Sequence, residues 1–236
     1  MIPLLLLLAA TPIPAESRQL VLAVTPGWDE TQGRAYLYER PGPKRPWTLA
    51  ADLGSASFGR TGLAWGRGLH PSDALGPLKK EGDGRSPAGV FRLTAASGYA
   101  PAAPAGARLP YRQATDTLRC VDDPASRAYN TWVEEGRALK DWGSAEDMRR
   151  SDDLYRWVIW VGHNDDPPQP GGGSCIFLHL RASPSSTTAG CTAFDAGPLE
   201  RIVTWLDPAA RPVLVQLPAP VLRGVAKRWG LPAPAP

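Results

Sequence analysis

The chain has 236 residues, enough for one large domain that buries its own core without a structural metal. With 26 basic and 23 acidic residues the formal net charge is only +3, which argues against the strongly basic field of a nucleic-acid-binding protein. The 24 glycines and 26 prolines cut the sequence into short segments, which argues against a bundle of long helices and favours a mainly β fold.

The first residues, MIPLLLLLAATPIPAES, carry a short apolar run, then prolines, then Ala15 at a small-residue cleavage point. They predict an export leader over 1–15, although no Lys or Arg precedes the run; it is too short for an ordinary transmembrane helix. Export places the chain in the periplasm or cell envelope. In such an oxidising compartment three cysteines most simply form one bridge and leave one free thiol.

QLVLAVT (19–25) and RAYLYER (34–40) alternate apolar and polar residues around the turn-forming PGWDETQG, the pattern of a half-buried hairpin. WTLAADL (47–53) and the segment 89–94 continue in β style, whereas 95–115, rich in Ala, Pro and Gly, reads as a long irregular excursion. SAEDMRRSDDLYRW predicts a short helix capped by Ser144, with Asp147 three residues on. WVIWVG (157–162) and CIFLHL (175–180) are apolar runs of strand length. Asp195 is placed to cap a helix whose Leu199, Ile202, Val203 and Leu206 share one face, ended by Pro208. VLVQL (213–217) is a last strand. The domain is expected to span 16–217, followed over 218–236 by a C-terminal helix and a Pro/Ala tail.

If CIFLHL is a strand, Cys175, Phe177 and His179 face one side and Ile176, Leu178 and Leu180 the other. The turn formers RASPSSTTAG let the chain fold back and bring Cys191 toward His179. An imidazole that shares the thiol's proton makes it a competent nucleophile. Gly190 lets neighbouring amides converge on one point, as an oxyanion requires, and a helix starting near Asp195 would lower the thiol's pKa. A packed core histidine beside an inert cysteine is the competing reading of the same pair.

The stretch FLHLRASPSSTTAGC (177–191) resembles the signature of the L,D-transpeptidases of the YkuD type, with His179, Thr188, Gly190 and Cys191 matching. GDGRSPAGVF (82–91) is similar to a second motif of that family at Ser86, Pro87, Gly89 and Phe91. CVDDPASRAYNTWV, DWGSAEDMRRSDDLYRWVIWVGHN and GSCIFLHL resemble an exported bacterial subgroup, so the resemblance covers about residues 20 to 217. The chain departs from the family at Ala189, where a histidine is usual, and at Ala193, where Asn or Arg is common; the loop from His179 to Cys191 is also short. Those departures bear on substrate grip and on the choice of acceptor.

The resemblance implies an L,D-transpeptidase-like β-sandwich or barrel of mixed sheets with a few short flanking helices. It also implies a peptidoglycan L,D-transpeptidase without a cofactor. Cys191 attacks the third residue's carbonyl in a stem tetrapeptide, D-alanine leaves, and an amine of a second stem or of an anchored protein resolves the thioester. His179 is base and then acid, the Leu180 carbonyl orients its ring, and the Gly190 and Cys191 amides hold the oxyanion. Thr188, His163, Asn164 and Arg85 are the candidate substrate contacts, with Arg92 and Trp65 behind them; the alternatives are a turn-capping His163, an Asn164 that fixes the loop and arginines that are simply solvated. With Cys191 so assigned, Cys120 and Cys175 remain and are expected to form a disulfide, the alternative being two separate buried thiols. Resolution by water would make the chain an L,D-carboxypeptidase, and a decayed site would leave a wall-binding module. A papain-like peptidase has its cysteine before its histidine, the reverse of the order here. Three dispersed histidines without HExxH or paired-cysteine spacing give no metal site.

Overall fold

The computed structural model describes residues 11–43, 45–71, 75–137 and 139–232. The predicted hairpin forms as β1 (Gln19–Thr25) and β2 (Gln32–Glu39), antiparallel with Leu22 opposite Tyr36. Next come β3 (Thr48–Ser57), the short β4 (Leu63–Trp65), the long β5 (Ser86–Gly98) and β6 (Tyr111–Gln113). Then follow β7 (Leu118–Val121), β8 (Trp132–Glu134), β9 (Ala145–Asp147), β10 (Trp157–Val161), β11 (Phe177–Leu180) and β12 (Thr192–Phe194). Helix α1 (Ala196–Trp205), β13 (Val213–Pro218) and helix α2 (Ala219–Trp229) complete the chain.

The main sheet runs β10-β11-β12-β3-β2-β1-β13-β5-β4, and β10 also pairs with β5, so eight of these strands close into a barrel-like sandwich. Closure leaves few free edges. The fold is mainly β with two helices, as the composition implied. Leu20, Leu22, Leu37, Phe58, Phe91 and Val215 are among the fully buried side chains of the main core. Helix α1 buries Leu199, Ile202 and Val203 beside β10 and β11, as its spacing predicted. Asp195 flanks its start without a capping hydrogen bond, because its carboxylate pairs with Arg181 instead.

A second layer, the three-stranded sheet β8-β7-β9, covers the other side of β10 and β11. That makes the alternation of CIFLHL legible in space. Ile176, Leu178 and Leu180 enter the main core, while Cys175 and Phe177 enter a second cluster with Leu118, Cys120 and Met148. The Cys120–Cys175 disulfide is present and ties the small sheet to the chain entering β11.

Three expectations are corrected. The helix expected from Ser144 is instead strand β9, paired with β7 at Cys120 opposite Glu146, and Ser144 donates to Asp122 at 2.6 Å. Beyond it the Asp152 carboxylate accepts from the Leu154 N–H, the usual competition of a short polar side chain against helix, and the Asp153 carbonyl accepts from the Arg156 N–H to close a turn. The excursion 95–115 is partly ordered, because the small residues Ala96, Ser97 and Gly98 let β5 pair with Ile159, Val158 and Trp157. The packed fold also begins before residue 16. Ile13 is buried in the main core, and the Pro14, Ala15 and Ser17 carbonyls all accept from the Arg40 guanidinium. At the other end α2 packs on β13 and β1, within the same body. The apolar run 1–10 and residues 233–236 lie outside the described residues.

Candidate active site

Strands β11 and β12 are parallel, with His179 beside Ala193 and Leu178 beside Thr192. Cys191 directly precedes β12, so it stands beside Phe177, two residues along from His179 and on the same face. Strand spacing and rise put the two Cα atoms about 8 Å apart. Both side chains line one groove of about 360 Å³, with Tyr155, Glu146, Glu81, Lys79 and Arg150 among its other walls.

The imidazole is fixed in one tautomer. Nδ1 of His179 lies 2.6 Å from the Leu180 carbonyl, which only accepts, so Nδ1 carries the proton and Nε2 keeps its lone pair. The edge of the Tyr155 ring packs against it at 5.1 Å between centroids. Burial is the main reason its pKa is pushed down to about 4, the Leu180 hydrogen bond acting in the opposite direction. The ring is therefore neutral at pH 7.

The thiol is not engaged by that ring. Sγ of Cys191 accepts from the Phe177 N–H at 3.3 Å and faces the Cys175 carbonyl at 3.6 Å. No hydrogen bond between it and His179 exists among the described residues. Burial, with the Glu146 charge second, raises the thiol's pKa far above its ordinary value. The expected lowering by a helix end is thus reversed: α1 starts only at Ala196, beyond β12, and the surroundings of Sγ are mostly apolar. The resting state is a neutral thiol beside a neutral imidazole.

Ser86 of the segment 82–91 and Thr188 of the stretch 177–191 meet at the cysteine. Ser86 Oγ and Thr188 Oγ1 each donate to the Cys191 carbonyl at 2.6 Å, and Ser86 also accepts from the Gly59 N–H at 2.8 Å. Thr192 reaches Gln216 at 2.7 Å, which in turn donates to the Pro87 carbonyl at 2.9 Å. Two segments about a hundred residues apart in sequence are thereby welded into one turn. The Gly190 N–H is turned toward Thr188 Oγ1 at 3.2 Å, which leaves the Cys191 N–H as the amide without an acceptor among the described residues. A Cβ at Gly190 would press on the Arg85 carbonyl at 3.2 Å.

Thr188 lines the groove, but its hydroxyl holds the turn. The other expected substrate contacts lie elsewhere. His163 is buried, with Nδ1 accepting from the Arg67 N–H and Nε2 facing the Gly172 carbonyl at 3.0 Å, and burial takes its pKa down to about 3. Asn164 is buried with φ 53° and bonds Gln169 and Gly173, so both residues fix the loop between β10 and β11. The Arg85 guanidinium turns to Asp29 at 2.8 Å and the Leu63 carbonyl. Arg92 lines a separate cleft with Arg67 and Asn164. Trp65 is buried, its Nε1 donating to the Leu75 carbonyl.

Sequence reasoning missed Glu81, Glu146, Lys79 and Tyr155. Glu81 accepts from Tyr129 at 2.5 Å and Ser174 at 2.7 Å, and Tyr155 donates to Glu146 at 2.9 Å. Glu146 and Tyr155 lie in SAEDMRRSDDLYRW, where a helix reading hid which side chains point inward, and Lys79 and Glu81 lie in the loop PLKKEGDG, whose charges read as solvated. Comparison with protein-family models, with curated proteins and with solved structures finds no match.

Proposed function

We propose that the chain is a cysteine-dependent acyltransferase of the L,D-transpeptidase kind, acting on peptidoglycan stem peptides in the cell envelope. The observation that carries this reading is a cysteine and a tautomer-locked histidine on one face of adjacent parallel strands, opening on one groove. Because thiol and imidazole are both neutral at rest, attack requires the proton to leave sulfur as the substrate carbonyl arrives, with Nε2 of His179 as acceptor after a rotation of the Cys191 side chain. The Cys191 N–H is the amide free to meet the oxyanion. D-alanine leaves with the proton, and the thioester passes to an acceptor.

The test is release of D-alanine from a stem tetrapeptide, read by mass spectrometry. Wild type should release it and carry a mass adduct at Cys191, and Cys191→Ala should do neither. Wild-type turnover by Cys191→Ala removes the assignment. One observation favours the second reading, a wall-binding module: Sγ rests on Phe177 N–H and the Cys175 carbonyl rather than on His179. A thiol-reactive carbapenem separates the two, since rapid acylation at Cys191 belongs to the enzyme, and peptidoglycan binding without acylation to the module.

A further inference from the structure

The groove holds three carboxylates, Glu81, Asp122 and Glu146, and none has a cation within 4 Å among the described residues. Cations are present, but two are committed elsewhere: Lys79 to Asp83 at 2.6 Å and Arg150 to Asp152 at 2.7 Å. The third, Arg60, is exposed at the rim. The three acids are held only by neutral donors, Tyr129 and Ser174 on Glu81, Ser144 on Asp122 and Tyr155 on Glu146.

Glu146 is the acid placed at the chemistry. Its Oε2 takes the Tyr155 hydroxyl at 2.9 Å, while Oε1 has no protein partner among the described residues. Its charge reaches the Cys191 thiol strongly enough to oppose thiolate formation. Tyr155 also packs against His179, so one side chain links the carboxylate to the imidazole. A carboxylate with one oxygen pinned and one open, in the groove that also holds Cys191, is placed to take a proton from a group that docks there.

We propose that Glu146 receives the amine of the acyl acceptor and takes its proton, selecting a primary amine over water at the thioester. This rests on the acyl-transfer reading above. The acceptor arrives as an ammonium and gives one proton to Oε1 of Glu146. Its nitrogen bonds to the thioester carbon, the C–S bond breaks, and the second surplus proton passes through His179 to sulfur, restoring the thiol and leaving an amide. Burial holds the Glu146 carboxyl up to about 7, with Asp122 and Glu81 acting in the same direction and Tyr155 and Arg150 against it, so it is a matched base near neutrality.

The experiment uses a tetrapeptide donor whose side-chain amine is acetylated and a separate amine-bearing stem peptide as acceptor. The wild type, Glu146→Gln and Glu146→Asp are compared for adduct formation at Cys191 and for the ratio of transfer to hydrolysis. In Glu146→Gln the adduct and the D-alanine burst should persist while transfer falls about a hundredfold relative to hydrolysis, the lower range of general-base effects. Its transfer rate should also lose the rise through pH 7 expected of wild type, and Glu146→Asp should regain part of both. A Glu146→Gln enzyme with the wild-type ratio and pH profile overturns the proposal while leaving the nucleophile intact. Failure of wild type to form any adduct overturns the acyl-transfer reading, and this proposal with it.

Discussion

Reducing the Cys120–Cys175 bridge should cost the fold about 4 kcal/mol. The two cysteines are 55 residues apart in sequence, and the chain-entropy relation for a loop of that size gives about 4 kcal/mol at 25 °C, by restoring freedom to the unfolded chain. The loop contains the end of β7 and all of β8, β9 and β10, so without the bridge the small sheet is held by its packing on Phe177, Trp160 and Val158 and by the pairing of β10. Cys175 itself sits at φ 53°, with its N–H bonded to Asn130 Oδ1 at 2.9 Å, and these contacts survive reduction. The assay is guanidinium unfolding of oxidised wild type, reduced wild type and the Cys120→Ala/Cys175→Ala variant, beside thiol titration of the unfolded, unreduced chain. One free thiol before reduction and three after are expected. A loss under about 1 kcal/mol would refute the loop-entropy argument, because the unfolded chain would then keep this region compact without the bridge. Three thiols before reduction would refute the bridge itself.

Asn130→Ala should destabilise by about 2 kcal/mol or more, since it strands the His163 and Asn164 carbonyls and the Cys175 N–H together; Asn130→Gly, which relieves the left-handed φ of 58° but not those bonds, should not rescue it in thermal unfolding. Ser86→Ala should cost about 1–3 kcal/mol and slow any acylation of Cys191, because the Gly59 N–H loses its acceptor and the Cys191 carbonyl keeps only Thr188; a variant as stable and as reactive as wild type would separate the two motif segments functionally. Ile202→Ala, fully buried on α1, should cost about 2–5 kcal/mol by urea unfolding. The pH dependence of stability has a fixed sign. His70, His163 and His179 all bind protons more readily unfolded, because burial lowers their folded pKa, so they add stability above about pH 6.5 that is lost as pH falls, for His179 and His163 through about 4 and 3. Glu146 acts oppositely, its contribution being present below 4.5 and lost as pH rises through 7. Between pH 5 and 6 the three histidines outweigh the one carboxyl, so stability should rise with pH, and more steeply in Glu146→Gln by roughly 1.4 kcal/mol per pH unit. Equal slopes in the two proteins would show that the Glu146 carboxyl is not held above its ordinary range.

Local pattern carried the strands, because burial on one or both faces writes itself as alternation or as a short apolar run. QLVLAVT, WVIWVG, FLHL and VLVQL are all strands, and the apolar positions of α1 face the core. The alternation inside CIFLHL even sorted its side chains correctly between two cores. What failed was the stretch from 144 to 157, where helix-favouring residues are overruled by pairing to β7, more than twenty residues upstream. The roles of His163, Asn164 and Arg85 stayed open in the sequence for a related reason. A polar residue at a strand end can serve a groove or close a loop, and its hydrogen-bond partners decide which.

The sequence by itself determined the β character, the order of the strands along the chain, and the cysteine and histidine that share a face. Those features depend on residue type and short spacing, which are local. The closure of the barrel, the meeting of Ser86 and Thr188 on one carbonyl, the neutral resting thiol and the unpaired carboxylates beside it were decided only by the tertiary structure. Hydrogen bonds and electrostatics depend on distance through space and on exclusion of water, and neither quantity is written along the chain.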